Sequence, residues 1–169
     1  VHNAVAAAAL ALAAGLSLVE VSDGLKNFSN IKGRLNIKQG IKDATLIDDT
    51  YNANPDSMKA AIDVLAAMPA PRIFVMGDMG ELGEDEAAAM HAEVGAYARD
   101  KGIEAAYFVG DNSVEAAETF GAEGLWFADK DPLIQVLSHD LPERATVLVK
   151  GSRFMKMEEV VEALAATTV

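Results

Sequence analysis

The sequence contains no cysteine, which excludes disulfide scaffolds, thiolate metal sites and cysteine nucleophiles. Basic residues are also scarce, because 14 Lys and Arg face 26 Asp and Glu and the net charge is −12. A surface this acidic repels phosphate backbones and anionic lipid, so neither nucleic acid nor a membrane is an expected partner. The phosphate-loop motif G-x-x-x-x-G-K-[ST] is missing, so this chain brings no such loop of its own.

Only the first 16 residues, VHNAVAAAALALAAGL, form a long apolar run. The run is shorter than the roughly 20 residues that span a bilayer, and no Lys or Arg precedes it as in a signal peptide. Alanine is the best helix former, so we predict a packed interior helix and no membrane insertion. Because this helix begins without Met and without a capping residue, we expect that the chain was cut from a longer protein.

The three histidines are far apart in the sequence and have no cluster of acidic or thiol ligands beside them. This spacing favours neither a metal site nor a catalytic triad. We therefore predict that His91 and His139 are surface residues of helices.

From Arg34 onward, short apolar runs alternate with segments of helical period. Such alternation predicts an α/β fold with a mostly parallel, Rossmann-like sheet and helices on both faces. The predicted strands lie at 34–40, 45–49, 72–78, 105–110, 124–129 and 146–151, and the predicted helices lie near 55–67, 84–101, 113–120, 131–139 and 155–166.

In a parallel sheet, functional groups lie at the C-terminal ends of the strands. The first parallel strand ends in DDTYNANPDS, residues 48–57. Asp48 and Asp49 point to opposite faces, so at most one of them is buried in the sheet. Asn54 is a good helix cap and Pro55 a good first helical residue. The start of this helix is suited to an anionic group, although a plain capped turn explains the same spacing.

Two other strand ends carry polar residues. The GDMGELGED segment after the second parallel strand lacks the G-x-G-x-x-G spacing, so we interpret it as a pliable turn before an acidic helix. The KGSRF segment after the last strand places Lys150, Ser152 and Arg153 together. These cations indicate either an anionic ligand or ion pairs with Asp49 or Asp78.

Five segments together resemble the Mur ligase family. They are HNAVAAAALALAAG at the start, GRLN at 33–36, DDTYNANPDSMKAAIDVL at 48–65, GDMGELG at 77–83 and KGSR at 150–153. Each is weak alone, but five in order along the whole chain are specific. The segments DDTYNANP and KGSR are most similar to those of the family branch that adds D-alanyl-D-alanine to UDP-N-acetylmuramoyl-tripeptide in peptidoglycan synthesis.

The resemblance implies a cytoplasmic bacterial enzyme with an N-terminal domain for the UDP-sugar, a central ATPase domain and a Rossmann-like C-terminal domain that closes over the site. Residues 1–26 are then the helical tail of the central domain, residues 27–34 a linker and residues 35–169 the C-terminal domain. The family uses ATP and Mg²⁺ to convert the tripeptide carboxylate into an acyl phosphate, which the amine of D-alanyl-D-alanine attacks.

The resemblance also implies contacts with ATP. His2 and Asn3 match the family's HN element near the adenine. Arg34 matches an arginine that moves toward the phosphates when the domains close, and Asp49 matches a carboxylate that contacts the ribose.

For the dipeptide, the resemblance implies contacts from two segments, the one after the first parallel strand and the one after the last strand. Asn52 and Asn54 lie where relatives place groups that touch the incoming amino acid. Lys150, Ser152 and Arg153 match the lining of the dipeptide pocket, and a cation there suits the free carboxylate of the dipeptide.

The chain departs from the family pattern because the phosphate loop, the Mg²⁺ ligands and the UDP-sugar domain are missing from it. We therefore assign no catalytic residue and no metal ligand to this chain, and we expect no bound cofactor, no turnover and little affinity for ATP when it is alone. Two alternatives stay open. One is a sibling ligase of the Mur or folylpolyglutamate type. The other is a receiver domain, with Asp48, Asp49 and Lys150 around an acceptor at Asp111.

Overall fold

The computed structural model describes residues 2–27 and 31–166, and all of their side chains except those of residues 2, 3, 84 and 85. The chain divides into two compact units, residues 1–31 and residues 32–169. No helix in the described ranges is both long and apolar enough to cross a bilayer. The assignment of the first unit to a central ATPase domain stays a prediction.

The first unit consists of two helices, α1 (His2–Ala13) and α2 (Leu18–Lys26). Gly15, with a φ of 95°, lies between them, in a conformation that only glycine adopts without strain. Ser17 caps α2 as predicted, and its backbone N–H is in turn bound by the Glu20 side chain. None of the residues 4–27 and 31 in this unit is buried, so the prediction of a packed interior helix is wrong for α1 in this chain.

The second unit is a six-stranded sheet covered by helices, which confirms the predicted α/β class. Its order across the sheet is β1-β2-β6-β3-β4-β5. Strand β1 is antiparallel to β2, while all the other pairs are parallel. The elements are β1 (Asn36–Gln39), β2 (Thr45–Asp49), α3 (Pro55–Ala66), β3 (Arg72–Gly77), α4 (Glu84–Asp100), β4 (Ala105–Val109), α5 (Ser113–Phe120), β5 (Gly124–Phe127), α6 (Lys130–Asp140), β6 (Thr146–Lys150) and α7 (Glu158–Leu164).

Alternation along the strands gives the second unit two apolar cores, one on each face of the sheet. In β2, Ile47 belongs to the core beneath α3, α4 and α5, while its neighbour Leu46 belongs to the core beneath α6 and α7. In β6, Leu148 and Val149 divide in the same way. Strands buried on both faces appear in the sequence as continuous apolar runs, which is why the predicted β2, β3, β4 and β6 agree with the observed strands within one residue. The partly exposed β1 and β5 are each two residues shorter at one end than predicted.

The last predicted helix begins too early. A 3₁₀ turn occupies Arg153–Met155, and Lys156 adopts a left-handed conformation with a φ of 49°. This conformation ends the turn before α7 starts at Glu158. The predicted apolar face of α7 is confirmed, because Val160, Val161 and Leu164 are fully buried.

The topology creates a crevice between β2 and β6. These strands are parallel neighbours in the sheet, but the helix after β2 packs on one face and the helix after β6 packs on the other. Adjacent strands whose connections leave to opposite faces open a crevice at their C-terminal ends, where ligands bind in open α/β sheets. The last paired residues at this point are Asp49 and Lys150.

Candidate functional site

A cavity of about 440 Å³ lies at the C-terminal ends of β2 and β6. It contains a cation from each of two segments, a carboxylate, several amide groups and an apolar wall formed by α3. The lining residues are Arg34, Leu35, Asp49, Tyr51, Asn52, Ala53, Asn54, Ser57, Ala60, Ala61, Val64 and Lys150. Five of the nine predicted site residues therefore meet here.

Lys150 and Asp49 form an ion pair in the floor of the cavity. The Lys150 ammonium donates to Asp49 Oδ2 at 2.6 Å and to the Asn52 carbonyl oxygen at 2.9 Å. The side chains are only 3% and 14% exposed, respectively. Asp49 Oδ1 accepts a further hydrogen bond from the backbone N–H of Leu35 at 3.2 Å. Of the two outcomes left open for Lys150 by the sequence, the ion pair is present.

Arg34 lies at the mouth of the cavity, on a short segment that contacts Tyr51 through both a side chain and the backbone. Its guanidinium stacks on the Tyr51 ring, 4.3 Å from the ring centroid, in a cation–π contact. The Tyr51 backbone N–H donates to the Gly33 carbonyl oxygen at 2.9 Å. Gly33 has a φ of 76°, and a Cβ there would lie 3.0 Å from the Tyr51 nitrogen, so this close approach requires glycine.

The start of α3 forms another side of the cavity. Asn54 caps the helix as predicted, and the Ser57 side chain binds the Asn54 backbone N–H in return. Pro55 occupies the first turn. Asn52 turns its side-chain oxygen to the backbone N–H of Ala53 at 2.9 Å. The helix start therefore adds partial positive charge beside Lys150 and Arg34, which suits an anionic ligand.

Asp48 points away from the cavity, as the alternation of strand residues predicts. It is fully buried and accepts hydrogen bonds from Lys38 at 2.8 Å and from the Thr50 hydroxyl at 2.7 Å. Burial alone would raise the pKa of this carboxyl, but the hydrogen bonds from Lys38 and Thr50 outweigh it and hold the pKa below its usual value. Asp48 is thus a structural anion, and Asp49 is the carboxylate of the cavity.

Two predicted dipeptide contacts, Ser152 and Arg153, lie outside the cavity lining. The Ser152 hydroxyl accepts from the Gly80 N–H at 2.6 Å and lies 3.3 Å from the Ala53 carbonyl oxygen, to which it donates. It therefore links the loops after β2, β3 and β6. The Arg153 side chain is 66% exposed and pairs with Glu158 at 2.9 Å. Contact of either residue with a dipeptide stays a prediction.

The prediction that His91 is a surface residue is wrong. His91 is fully buried, where Nε2 accepts from the Met79 N–H at 2.9 Å and Nδ1 lies 2.7 Å from the Ala87 carbonyl oxygen. Since a carbonyl only accepts and an N–H only donates, these contacts require the neutral tautomer that carries its proton on Nδ1. The sequence held a signal, because residue 91 follows the helical spacing of the buried residues Ala87, Val94 and Ala98. His139 is 89% exposed, as predicted.

Asp78 has a structural role that its sequence pattern did not indicate. Its carboxylate accepts from the Ser113 hydroxyl at 2.6 Å and from the Asn112 N–H at 3.1 Å. Gly110 packs against this carboxylate so closely that a Cβ would overlap it. Asp78 therefore joins the end of β3 to the loop between β4 and α5 and supports the loop that His91 holds.

The remaining predicted residues, His2 and Asn3, have side chains outside the described part of the structure. Within the described part, no group of three or more His, Asp or Glu side chains is arranged to hold a metal ion. The cavity offers one carboxylate, Asp49, and this group is already paired with Lys150.

Comparison with known families matches residues 33–153 to the glutamate ligase domain of Mur ligases. The chain is 46% identical over 166 residues to the UDP-N-acetylmuramoyl-tripeptide--D-alanyl-D-alanine ligase of Escherichia coli K12, covering 97% of this chain and 36% of that protein. It is 43% identical to the ligase of the same name from Haemophilus influenzae, with the same coverage. The chain thus spans about 36% of the length of these relatives.

Solved structures agree with these matches. MurF from Acinetobacter baumannii superposes with a TM-score of 0.83 at 38% identity, over 95% of this chain and 36% of that one. MurF ligase from Thermotoga maritima, solved in complex with ADP, shares the fold with a TM-score of 0.77 at 24% identity, over 92% of this chain and 35% of that one. These matches favour a Mur ligase domain over a receiver domain.

Proposed function

Since this chain belongs to the Mur ligase family, we propose that it is the C-terminal part of an ATP-dependent ligase that joins D-alanyl-D-alanine to UDP-N-acetylmuramoyl-tripeptide. The observation that carries the proposal is the match to D-alanyl-D-alanine ligases over 97% of the chain, together with a cavity at the topological switch point that is lined by Arg34, Asp49 and the start of α3. The UDP-sugar domain and the ATPase domain are its partners in the parent protein.

In the parent enzyme, the tripeptide carboxylate takes the terminal phosphoryl group of ATP and releases ADP. The amine of the dipeptide then attacks the carbonyl carbon of this acyl phosphate, which forms the amide bond and releases phosphate and a proton. The share of this chain is to close over the site and supply groups to both ligands. Arg34 supports such a role, because a guanidinium at a cavity mouth can bind phosphate oxygens through two parallel hydrogen bonds. Asp49 is suited to a ribose hydroxyl, since each of its oxygens retains a lone pair beyond the hydrogen bonds to Lys150 and Leu35.

The dipeptide side of the proposal rests on the loop from Asn52 to Asn54 and on Arg153. The start of α3 and the exposed Arg153 both favour the free carboxylate of D-alanyl-D-alanine. Side-chain amides of Asn52 and Asn54 can hydrogen-bond to peptide groups.

Mg²⁺ would neutralise charge on the ATP phosphates when bound. The cavity of this chain does not supply a ligand set for it, because Mg²⁺ requires several oxygen ligands and Asp49 is the only carboxylate lining the cavity. We therefore assign Mg²⁺ binding to the parent domains and not to these residues.

Steady-state kinetics of the full-length parent protein test the proposal. The unaltered protein should form UDP-N-acetylmuramoyl-pentapeptide from the tripeptide, D-alanyl-D-alanine and ATP. Arg34→Met should lower kcat/KM by about 100-fold, the loss typical of removing one donor to a transition-state charge. Arg144→Met is the matched control, because Arg144 is exposed in the loop before β6, at the N-terminal ends of the parallel strands and thus opposite the cavity. This control should change kcat/KM less than about twofold. Failure to ligate this dipeptide would refute the proposed substrate, while full activity of Arg34→Met would refute the role of Arg34.

The isolated chain should be inactive and should bind ATP poorly. The physical reason is that most phosphate-binding energy comes from a phosphate loop and Mg²⁺ ligands, and this sequence has no such loop. Calorimetric titration of the chain with ATP and Mg²⁺ should show no heat of binding at micromolar concentrations. A micromolar dissociation constant would contradict this expectation.

A further inference from the structure

Lys150 has a different environment from the other cation of its segment. Its side chain is 3% exposed, and its ammonium group donates to Asp49 Oδ2 at 2.6 Å and to the Asn52 carbonyl oxygen at 2.9 Å. We propose that Lys150 is a positioning residue, which acts by aiming the Asp49 carboxylate and not by binding the dipeptide. This inference rests on the proposed ligase function.

The hydrogen-bond count argues against a direct ligand role. An ammonium group has three donors, and two of those of Lys150 are directed at acceptors inside the protein. Its charge is already matched by a carboxylate at 2.6 Å, so little attraction is left for the carboxylate of a second molecule. Pulling Lys150 toward a ligand would leave Asp49, which is 14% exposed, without its counter-charge, and an unpaired charge in such a site is costly.

Asp49 is held from two directions. Lys150 binds one carboxylate oxygen, and the backbone N–H of Leu35 binds the other at 3.2 Å. Leu35 directly follows Arg34 and has a φ of 48°, so the carboxylate also holds the strained segment that presents the arginine. Without Lys150, the carboxylate keeps the hydrogen bond from the Leu35 N–H and loses the shorter one that fixes Oδ2, so its orientation is less well defined. Loss of Lys150 should therefore weaken the binding of the nucleotide, which Asp49 and Arg34 are proposed to contact.

Arg153 provides the contrast within the same KGSR segment. Its side chain is 66% exposed and pairs with Glu158, whose side chain is 19% exposed. A guanidinium has five N–H donors, and one of them, on Nη1, is directed at Glu158 Oε1 at 2.9 Å. Arg153 can therefore bind the carboxylate of a dipeptide with its remaining donors while it keeps its bond to Glu158, whereas Lys150 cannot turn to a ligand without leaving Asp49 unpaired.

Kinetics in two backgrounds of the full-length protein distinguish positioning from direct contact. Lys150→Met should raise the KM for ATP by about tenfold, the effect of losing one charged hydrogen bond, and should raise the KM for D-alanyl-D-alanine by less. In an Asp49→Asn background, the same substitution should leave the KM for ATP within about twofold, because the group that it aims has already been neutralised. Arg153→Met should show the reverse pattern, with the larger rise in the KM for the dipeptide.

Two outcomes would overturn the inference. One is a rise in the KM for the dipeptide that exceeds the rise for ATP in Lys150→Met. The other is an equal factor on the KM for ATP in both backgrounds. If the unaltered parent protein does not ligate the dipeptide, the proposed function fails, and the link between the two residues is still measurable by unfolding.

Thermal unfolding of this chain provides that independent measurement. Lys150→Met should lower the Tm by about 5 °C or more, because it leaves a carboxylate unpaired in a largely buried site. The double variant with Asp49→Asn carries no unpaired charge, so its Tm should be higher than the sum of the two single effects predicts. Additive effects of the two substitutions would show that the residues are not coupled and would refute the inference.

Discussion

The two compact units of the chain use apolar residues in opposite ways. In the first unit, Leu10 is 73% exposed and none of residues 4–27 and 31 is buried. In the second unit, Ile62 in α3 has 0% accessible surface and belongs to a core that continues under α4 and α5. Both residues lie in helices rich in alanine and aliphatic side chains.

This difference shows that helix signals and core signals are separate. Both units contain a helix with a reciprocal cap, Ser17 with Glu20 in α2 and Asn54 with Ser57 in α3. Caps act within one turn of the chain and do not require a packed partner. Burial requires another surface, which the sheet provides for α3. Helical stability in proteins comes mostly from such packing, so equal local signals should have unequal effects on stability.

The strongest test of this comparison is a matched pair of truncations. Ile62→Ala should destabilise the second unit by about 2–5 kcal/mol, since it removes buried methylene groups and leaves a cavity. Leu10→Ala should change the free energy of unfolding by less than about 0.5 kcal/mol, because the leucine is already in contact with solvent. Urea unfolding followed by fluorescence measures both, and the single tryptophan, Trp126 in β5, reports on the second unit.

Equal losses from the two truncations would break the comparison. They would mean that Leu10 is buried in solution in the isolated chain and that the first unit does not expose its apolar residues. Val64→Ala offers a control within α3, because this side chain is 39% exposed and its truncation should cost less than that of Ile62.

A second test concerns the buried carboxylate of the second unit. Asp48→Asn should lower the free energy of unfolding at pH 7 by about 2 kcal/mol, the value of hydrogen bonds to a charged group. A larger loss is not expected, because the partner Lys38 is partly exposed to solvent. The pKa of Asp48 is lowered in the folded state, so its ionised form stabilises the protein above the ordinary carboxyl pKa of about 4. That contribution is lost as the pH falls through the lowered, folded-state pKa.

Unfolding at a series of pH values from 7 to 3 checks this prediction. The difference in unfolding free energy between the unaltered chain and Asp48→Asn should shrink as the pH falls. It should also be smaller at pH 7 in a Lys38→Met background, which removes the main donor. A difference that stays constant across this range would show that the ionisation of Asp48 is not coupled to folding.

Most of the sheet could be predicted from the sequence for a physical reason. Strands buried on both faces are continuous apolar runs, and helices between them show a 3.6-residue period. The position of β6 between β2 and β3 was not predictable in this way, because strand order depends on long-range packing. The start of α7 was misjudged because nothing in the local pattern marks Lys156 for a left-handed conformation.

The candidate site was only partly predictable. The rule that functional groups lie at strand ends brought attention to Asp49 and Lys150, and the register of β2 and β6 makes them neighbours. Whether Lys150 binds a ligand or a carboxylate of the protein depends on side-chain geometry that spacing does not specify. The role of His91 was missed because its polarity was given more weight than its helical spacing to Val94 and Ala98.

The smallest expected effect comes from removing the capping side chain of one helix in each unit. Asn54→Ala should cost about 1 kcal/mol of the unfolding free energy reported by Trp126, since α3 is part of the cooperative core. Ser17→Ala removes the corresponding bond to the Glu20 N–H at 3.3 Å and should leave that free energy unchanged, because none of the described residues of α2 is buried. It should instead lower the helix content of α2, seen as smaller helical chemical-shift displacements at residues 18–26. If Ser17→Ala shifted the unfolding midpoint of Trp126 as far as Asn54→Ala does, the two units would unfold as one, and the contrast between local capping and cooperative burial would not hold for this chain.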